Sequence, residues 1–180
     1  MTATIHLVRH GQSDWNVARR LQGQRDEPVL TELGRRQAAE AAELLRPLGV
    51  TTVLSSDLQR AVQTAEILGA AFALPVSIDR RLREQSLGKI EGFGMQEALD
   101  ATTGHDWTDA DAALPAGESL GDVAARLEPL LAAAQQGLFG ARVVMVSHGD
   151  TIRVAMALLG AISLSEIQHG CPANGSITTF

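Results

Sequence analysis

Two histidines occupy positions where an apolar segment gives way to a glycine. His10 is followed by Gly11, and His148 is followed by Gly149. Burying an imidazole at the end of a strand costs free energy unless the group has a partner or a task. Glycine lacks the Cβ that would crowd a sharp turn or a bound ligand. A neutral imidazole nitrogen can attack phosphorus, and a second imidazole can donate to the phosphoryl oxygens, so this pair suits covalent phosphoryl transfer.

Two arginines supply the positive charge that such chemistry needs. Arg9 directly precedes His10. Arg60 falls in the first turn of a predicted helix, where a cation opposes the helix dipole. A bound anion would account for that position, whereas the alternative is an ordinary surface cation. Because guanidinium groups bind phosphoryl oxygens in a bidentate manner, Arg9 and Arg60 are candidates for holding the charged oxygens.

Phosphoryl transfer to an imidazole also needs a carboxylic acid that protonates the leaving alkoxide and then activates water. Glu84 is one candidate, within the charge-rich segment 79–92. The residues alone leave the choice open, because Glu84 could be a solvated loop residue. The chain also offers rival carboxylates: Asp79, Glu91, Glu97 and Glu118.

Two other kinds of site are weaker alternatives. His10, His148 and Asp150 could bind a zinc-like ion, but no His-Glu-x-x-His or similar ligand spacing is present, and the arginines would repel a cation. Ser56 and Ser147 could indicate a serine hydrolase, but no Gly-x-Ser-x-Gly elbow surrounds either serine. We therefore predict no metal and no cofactor. The remaining histidines are expected to be structural or at the surface: His6, His105 and His169.

Strands that alternate with helices must position these residues. The apolar patterns predict strands at 4–9, 51–55, 75–78, 142–147 and 174–180. Helices are predicted at 32–46, 58–72, 95–101, 119–136 and 150–159, with one more turn at 164–169. This alternation is typical of an α/β fold, a three-layer α/β/α sandwich with a mostly parallel central sheet. The carboxyl ends of parallel strands share one edge, so we expect His10, Ser56 and His148 to meet there.

The composition fits one domain. With 180 residues, of which 45% are hydrophobic, the chain is long enough for a full core, and we expect residues 1–180 to form a single domain. The formal net charge of −6 argues against nucleic acid and anionic membranes as partners. A single cysteine, Cys171, excludes an internal disulfide. The chain starts without a basic and then apolar leader, so we expect a cytoplasmic protein, either a monomer or a homodimer.

Several separated motifs together resemble one known family. They are Leu7-Val8-Arg9-His10-Gly11-x-Ser13-x-x-Asn16, Leu30-Thr31-x-x-Gly34-x-x-Gln37-Ala38, Ser55-Ser56-Asp57-Leu58-x-Arg60-Ala61-x-x-Thr64-Ala65, Gly117-Glu118-Ser119 and Ser147-His148-Gly149. In type and order they resemble the histidine phosphatase superfamily, in its phosphoglycerate mutase-like branch. The resemblance covers nearly the whole chain and implies the phosphoglycerate mutase-like version of the fold predicted above.

The resemblance also implies a role for each candidate residue. The implied catalytic group has a nucleophile, a proton donor and three phosphate-binding side chains, which are His10, Glu84, Arg9, Arg60 and His148 in that order. The implied additional substrate contacts come from one loop: Asn16, Gln22 and Gly23. The residues themselves allow other interpretations, because Asn16 could cap a helical turn and Gln22 could be solvated.

The family contains mutases and phosphatases, and the length and charge of one insertion distinguish them. The family's mutases carry a long insertion with paired arginines and a lysine, which bind a bisphosphate. The excursion here, at about 85–117, has Lys89 as its only lysine or arginine, and we expect it to lie over the active site. The resemblance therefore favours a metal-independent phosphatase that acts through a phosphohistidine on a small phosphorylated metabolite, either a sugar phosphate or a phosphoglycerate-type ester. The alternatives are a cofactor-dependent phosphoglycerate mutase and a non-catalytic module that binds phosphorylated ligands.

Overall fold

The computed structural model describes residues 3–107, 109–160 and 171–180. Within these residues five strands form one sheet: β1 Thr4–Arg9, β2 Thr52–Ser55, β3 Val76–Ile78, β4 Arg142–Ser147 and β5 Ile177–Thr179. The α-helices are α1 Asp14–Val17, α2 Glu32–Leu45, α3 Gln59–Phe72, α4 Met95–Ala101, α5 Leu120–Gln135 and α6 Gly149–Gly160. Apart from the last strand, and from the turn predicted at 164–169, which lies outside the described residues, the predicted elements agree with these bounds to within about one residue.

The sheet is mostly parallel. Its strand order is β3-β2-β4-β1-β5, and among the described strands only β5, at the edge, runs antiparallel to its neighbour β1. Strands that are buried on both faces have nearly continuous apolar sequences, as β1 and β4 do. The prediction of an α/β fold with a mostly parallel sheet is confirmed.

Each face of the sheet carries its own hydrophobic core. Successive side chains of a strand point to opposite faces, so β1 sends Ile5 and Leu7 to one face and Val8 to the other. The first face packs against α5 and α6, and the second packs against α2 and α3. β4 divides in the same way between Met145 and Val146. The result is the predicted three-layer sandwich, in which the edges of the sheet remain available for a site.

The carboxyl ends of β1, β2 and β4 lie side by side. Arg9 at the end of β1 is opposite Ser147 at the end of β4. The amide of His10 donates to the carbonyl oxygen of Ser147 at 3.0 Å. The amide of Ser56, just beyond β2, donates to the carbonyl oxygen of Val146 at 3.0 Å. The three predicted strand-to-helix junctions therefore meet at one edge, as a parallel arrangement requires.

Two helices begin with the caps that the sequence predicts. The hydroxyl oxygen of Thr31 accepts a hydrogen bond from the amide of Gly34 at the start of α2, at 3.0 Å. At the start of α5, Ser119 and Asp122 form a capping box, in which each side chain accepts from the backbone amide of the other residue. Such caps satisfy amides that have no partner within the helix.

The described residues of the segment 85–117, all but 108, form an excursion that packs on the loop after α1. Its small apolar cluster includes Ile90 and Leu114, and Leu21 from the loop packs against it. The Nε of Arg20 donates to the carbonyl oxygen of Gly92 at 2.8 Å. These contacts attach the excursion to the loop between α1 and α2.

The last strand is shorter than predicted. The sequence pattern predicts a strand over 174–180, but β5 covers only its last part. The residues before β5 turn toward the end of β1 instead. The amide of Gly175 donates to the carbonyl oxygen of Arg9 at 3.1 Å, and the side chain of Asn174 donates to the carbonyl oxygen of His10 at 3.0 Å.

One predicted element lies outside the described residues, namely the turn of helix at 164–169, together with His169. Among the residues that the structure does describe, no helix is both long enough and apolar enough to cross a membrane.

Candidate active site

His10 is buried at the end of β1 with its ring proton fixed. A carbonyl oxygen can only accept, so the 2.7 Å contact between His10 Nδ1 and the carbonyl oxygen of Gly11 places the proton on Nδ1. The lone pair of Nε2 is therefore free to attack. The pKa of His10 lies well below its usual range because of burial first, and then because of the charges of Arg60 and Arg9. The ring is neutral at pH 7, as a nucleophilic imidazole must be.

Close backbone packing holds the turn after His10. The amide of Gly11 donates to Thr64 Oγ1 at 3.1 Å, and the Thr64 hydroxyl donates to the carbonyl oxygen of Arg60 at 2.8 Å. A Cβ on Gly11 would lie 2.2 Å from the carbonyl oxygen of Gly34 in α2. Glycine is needed at position 11 because the first turn of α2 approaches the backbone too closely for any side chain.

His148 is the second buried imidazole of the site. Its ring centroid lies 5.2 Å from that of His10, with 56° between the ring planes. Its Nε2 lies 2.9 Å from the hydroxyl oxygen of Ser56, whereas its buried Nδ1 has no hydrogen-bond partner among the described residues. Burial, followed by the charge of Arg60, holds the pKa of His148 well below its usual range. The two predicted histidines therefore lie together as a pair of neutral rings.

Arg60 is only 1% exposed, although it lies in the first turn of α3. Its Nη1 and Nη2 donate to the carbonyl oxygens of Arg25 at 2.9 Å and Gly23 at 2.8 Å. Burial lowers the pKa of Arg60 to about 10, so the guanidinium group keeps its charge at pH 7. The alternative interpretation of Arg60 as a surface cation is wrong, because the side chain points into the protein at the carboxyl edge of the sheet.

Arg9 reaches the site from the end of β1. Its Nη1 donates to the carbonyl oxygen of Pro172. At the start of α6, a Cβ on Gly149 would lie 2.1 Å from Cys171 Sγ and 3.6 Å from Arg9 Cζ. The absence of a side chain at position 149 therefore lets the segment that binds Arg9 pack against α6.

Three buried nitrogen atoms of the site have no hydrogen-bond partner in the described part of the chain, namely Arg9 Nε, Arg60 Nε and His148 Nδ1. Leaving a buried donor unsatisfied costs about 1–3 kcal/mol, and buried polar groups are usually paired. The charges of both arginines act on both imidazoles, whose ring centroids are 5.2 Å apart, so these four side chains lie in the same region of the protein. A phosphoryl group would accept hydrogen bonds from donors of this kind, and the two guanidinium groups would neutralise its charge.

Glu84 lies at the N-terminus of α6. Its Oε1 accepts from the amides of Gln85 at 3.0 Å and Thr151 at 3.1 Å, and its Oε2 accepts from the amide of Asp150 at 3.4 Å. Burial of the carboxyl group, followed by the negative charge of Asp150, raises the pKa of Glu84 against the opposing attraction of Arg60. A raised pKa favours the protonated form that a proton donor needs.

The four rival carboxylates each have other hydrogen-bond partners, although Arg126, which binds Glu118, also donates to the carbonyl oxygen of Glu84. Asp79 binds Arg81, Glu91 binds the amides of Gln24 and Leu87, Glu97 binds the amide of Gly94, and Glu118 binds Arg126. Glu84 instead lies between the start of α6 and the charge of Arg60. The geometry therefore favours Glu84 for the proton-transfer role.

In both Asn16 and Gln22 the oxygen of the side-chain amide accepts hydrogen bonds from neighbouring residues. Asn16 Oδ1 accepts from the amide of Ser13 at 2.9 Å and from Asn174 Nδ2 at 3.3 Å, and Gln22 Oε1 accepts from the Ser13 hydroxyl at 2.9 Å. Because both amide oxygens are engaged, both NH₂ groups remain as donors. Asn16 also belongs to the capping box of α1, so its interpretation as a capping residue is confirmed.

Gly23 contributes through its backbone. Its φ of +46° lies in the left-handed region, and a Cβ would lie 2.3 Å from Glu91 Oε1. Its carbonyl oxygen accepts the hydrogen bond from Arg60. Gly23, which was predicted to bind substrate, therefore orients the guanidinium group of Arg60.

Known proteins are similar to this chain in sequence and in structure. The sequence profile of the histidine phosphatase superfamily (branch 1) matches residues 5–180, a range that contains all eight predicted site residues. The chain belongs to this superfamily.

Named relatives agree with this assignment. Curated proteins called probable phosphoglycerate mutase GpmB, from Enterobacter sp. (strain 638) and Proteus mirabilis (strain HI4320), are 39% and 40% identical to the chain, over 90% of it and 77% of each relative. The solved native mycobacterial glucosyl-3-phosphoglycerate phosphatase is 38% identical, with a TM-score of 0.89 over 99% of this chain and 90% of that one. YhfR of Bacillus stearothermophilus is 31% identical, with a TM-score of 0.88 over 98% and 90%. The prediction of a histidine phosphatase superfamily enzyme is confirmed.

Sequence reasoning missed several side chains that hold this superfamily site together. The hydroxyl group of Ser56 contacts His148, and that of Thr64 contacts Gly11. Both residues belong to the motif that runs from Ser55 to Ala65, so the sequence did contain a signal for them. Asn174 gave no signal, because its segment was expected to be a strand. Arg83, next to Glu84, binds the carboxylate of Asp57 through two hydrogen bonds of 2.6 Å, which fix the segment that carries Glu84.

The alternative of a metal site would need a set of ligands. Among the described residues, no group of three or more histidine, cysteine, aspartate or glutamate side chains is arranged to hold a metal ion. His10 and His148 lie together, but Asp150 pairs with Arg153 at 2.7 Å. The donors around the two rings are guanidinium groups, which suit an anion.

Proposed function

We propose that the protein is a metal-independent phosphomonoesterase that transfers the phosphoryl group of a small metabolite to His10 and then to water. One observation carries this proposal. The neutral imidazole of His10, with its proton fixed on Nδ1, lies beside two guanidinium groups and His148, and three buried nitrogen atoms of these neighbours have no partner among the described residues. Such an arrangement offers a nucleophile and charge neutralisation to the same phosphoryl group.

In the first step, Nε2 of His10 attacks phosphorus, and the N–P bond forms as the bond from phosphorus to the ester oxygen breaks. Arg9, Arg60 and His148 bind the remaining phosphoryl oxygens, over which the charge spreads. The carboxyl group of Glu84 gives its proton to the leaving alkoxide. The alcohol departs, and the site then holds a phosphohistidine and a carboxylate.

In the second step, the carboxylate of Glu84 takes a proton from water, and the water oxygen attacks phosphorus. The P–N bond breaks, inorganic phosphate leaves, and His10 and Glu84 return to their starting protonation states. The same carboxyl group thus acts as acid and then as base. This double role suits a pKa that burial and Asp150 raise while Arg60 lowers it.

The proposed substrate is a small phosphorylated metabolite, either a sugar phosphate or a phosphoglycerate-type ester. A solved relative of 38% identity is a mycobacterial glucosyl-3-phosphoglycerate phosphatase, and that protein has also been solved with VO3 and with inorganic phosphate. The NH₂ groups of Asn16 and Gln22, whose amide oxygens are already engaged by described residues, can donate to further oxygens of such an ester.

Phosphoglycerate mutase activity is the second candidate, because relatives of 39% and 40% identity are called probable phosphoglycerate mutase. A mutase must retain a bisphosphate intermediate and needs further cations to bind it. Lys89 is the only lysine or arginine within residues 85–117, and it is exposed. The excursion therefore offers no second cationic cluster, which favours hydrolysis.

The test is turnover of p-nitrophenyl phosphate with EDTA present, in the wild type, in His10→Ala and in the control His105→Ala from the excursion. We expect an active wild type and control, and a loss of at least about 10³-fold in His10→Ala. Full activity of His10→Ala would reject the nucleophile. Interconversion of 3- and 2-phosphoglycerate would support the mutase, and phosphate binding without turnover of any sugar phosphate, phosphoglycerate or nucleotide would support a binding module.

A further inference from the structure

Ser56 is a buried hydroxyl that the two chemical steps above do not use. Its oxygen lies 2.9 Å from Nε2 of His148 and accepts a hydrogen bond from the amide of Leu58 at 3.3 Å. Ser56 and His148 are both 0% exposed, so water does not compete for this contact. The direction of the hydrogen bond between them decides which nitrogen of His148 carries the ring proton.

Two arrangements of protons are possible. In the first, the serine hydroxyl donates to Nε2, and the single proton of the neutral ring lies on Nδ1. In the second, Nε2–H donates to the serine, whose own hydrogen then has no acceptor among the described residues, because the Leu58 amide can only donate. The second arrangement also leaves the lone pair of Nδ1 buried without a donor.

The count of unsatisfied groups favours the first arrangement. It leaves one buried group without a partner, Nδ1–H, whereas the second leaves two. Each such group has given up its hydrogen bonds to water without gaining another, which destabilises the arrangement. The remaining unsatisfied group of the first arrangement is also a donor, like the unpaired Nε atoms of Arg9 and Arg60. All three would be satisfied by one ligand with several acceptor oxygens.

We propose that Ser56 is a positioning residue, whose hydroxyl holds His148 in the Nδ1–H tautomer so that this nitrogen donates to a phosphoryl oxygen. The proposal rests on the proposed function for the identity of the ligand. A lone pair on Nδ1 would repel the same oxygen, so the wrong tautomer converts an attractive contact into a repulsive one. The serine thus acts on the ligand only through the imidazole ring.

Long-range ¹H–¹⁵N correlation spectra of the full chain report which nitrogen of each histidine is protonated. The signals of His148 are identified by their loss in His148→Gln. At pH 7 we expect a protonated Nδ1 and an unprotonated Nε2 at His148. The spectrum of the wild type alone tests the tautomer, whether or not any variant of Ser56 folds. A proton on Nε2 overturns the proposal.

Ser56→Ala then tests the role of the hydroxyl. We expect a growing share of the Nε2–H tautomer and a weakening of inorganic phosphate binding by about 10-fold, the size of effect that the partners of site histidines have in metal sites. Ser55→Ala is the matched control, because Ser55 is equally buried but donates to the carbonyl oxygen of Ser56 at 2.8 Å. Ser55→Ala should leave both the tautomer and the dissociation constant unchanged.

An unchanged tautomer together with unchanged phosphate affinity in a folded Ser56→Ala variant overturns the role of the hydroxyl. Failure of the proposed function gives a different pattern. In that case the wild type shows the Nδ1–H tautomer and binds inorganic phosphate, but turns over no phosphate ester.

Discussion

Glu84 Oε1 lies 3.1 Å from the backbone amide of Thr151, in the first turn of α6. The partial positive charge of a helix N-terminus favours the carboxylate form at this position. Burial and the charge of Asp150 act in the opposite direction and favour the protonated acid, and the pKa is raised on balance. The carboxyl group is thus held between opposing influences, which suits a group that must release a proton and then recover it.

The pH dependence of kcat depends on Asp150. Since a proton donor with a raised pKa stays protonated to higher pH, activity is lost as the pH rises through that pKa. The groups acting on Glu84 are Asp150, which raises its pKa, and Arg60, which lowers it. Asp150→Asn should therefore move the alkaline limb of the kcat profile to lower pH, while Glu84→Gln should lower kcat by about 10²–10⁴-fold. An alkaline limb that stays in place in Asp150→Asn contradicts this assignment.

Replacing Arg60 by lysine should not preserve activity. The guanidinium group of Arg60 binds two carbonyl oxygens and still has Nε available, whereas a lysine ammonium is a point charge without this fork. We expect kcat on p-nitrophenyl phosphate to fall by about 10²–10³-fold in Arg60→Lys, as for other lost oxyanion donors. Arg46→Lys, at an exposed position, is the control. Wild-type kcat in Arg60→Lys would show that charge alone is sufficient.

A methyl group at position 34 should damage both stability and activity. A Cβ on Gly34 would lie 2.1 Å from the carbonyl oxygen of Gln12, so the turn after His10 and the start of α2 must separate. We expect Gly34→Ala to lower the free energy of unfolding by about 1–3 kcal/mol, measured by urea denaturation, and to lower kcat. Gly94→Ala, where a Cβ meets nothing within 4 Å, should change neither by much. Equal effects of the two substitutions would refute the steric argument.

Acid should weaken the protein partly through Asp57. Its hydrogen bonds with Arg83 lower its pKa from 3.8 to about 2. A depressed pKa stabilises the folded state above the unfolded pKa, and this contribution is lost as the pH falls from about 4 to 2. Because solvent partly screens the pair, Asp57→Asn should cost about 1 kcal/mol at pH 7 and remove this part of the acid dependence.

Urea denaturation at pH 7 and pH 3 measures the contribution of Asp57, with the exposed Asp100→Asn as control. If Asp57→Asn loses as much stability between these two pH values as the wild type does, the stabilising pair is not the source of the acid dependence.

The sequence predicts the sheet well because its central strands are buried on both faces. The continuous apolar run of β4 ends at His148, and the run of β1 ends at His10, so both the strands and their functional ends are visible in the sequence. The parallel arrangement then requires these ends to meet at one edge. The positions of both imidazoles follow from these local patterns and one topological rule.

The long-range hydrogen bonds that hold His148 and the backbone of His10 are not visible in the sequence. The Ser56–His148 pair joins residues 92 apart in the chain, and the Asn174–His10 pair joins residues 164 apart. Periodicity reports which residues face the core, but it carries no information about which hydroxyl or amide reaches a given ring. Only the first part of the predicted strand at 174–180 is wrong, because the polar contacts of Asn174 and Gly175 with the end of β1 override local strand propensity.

The bond from Asn174 to the carbonyl oxygen of His10 has a practical consequence for anyone who shortens or tags this enzyme. Residues near both ends of the sequence thus support the backbone of His10, so we expect any shortened form that keeps this support to retain residue 174 and β5. We expect a fusion partner inserted directly before Asn174 to disturb this hydrogen bond.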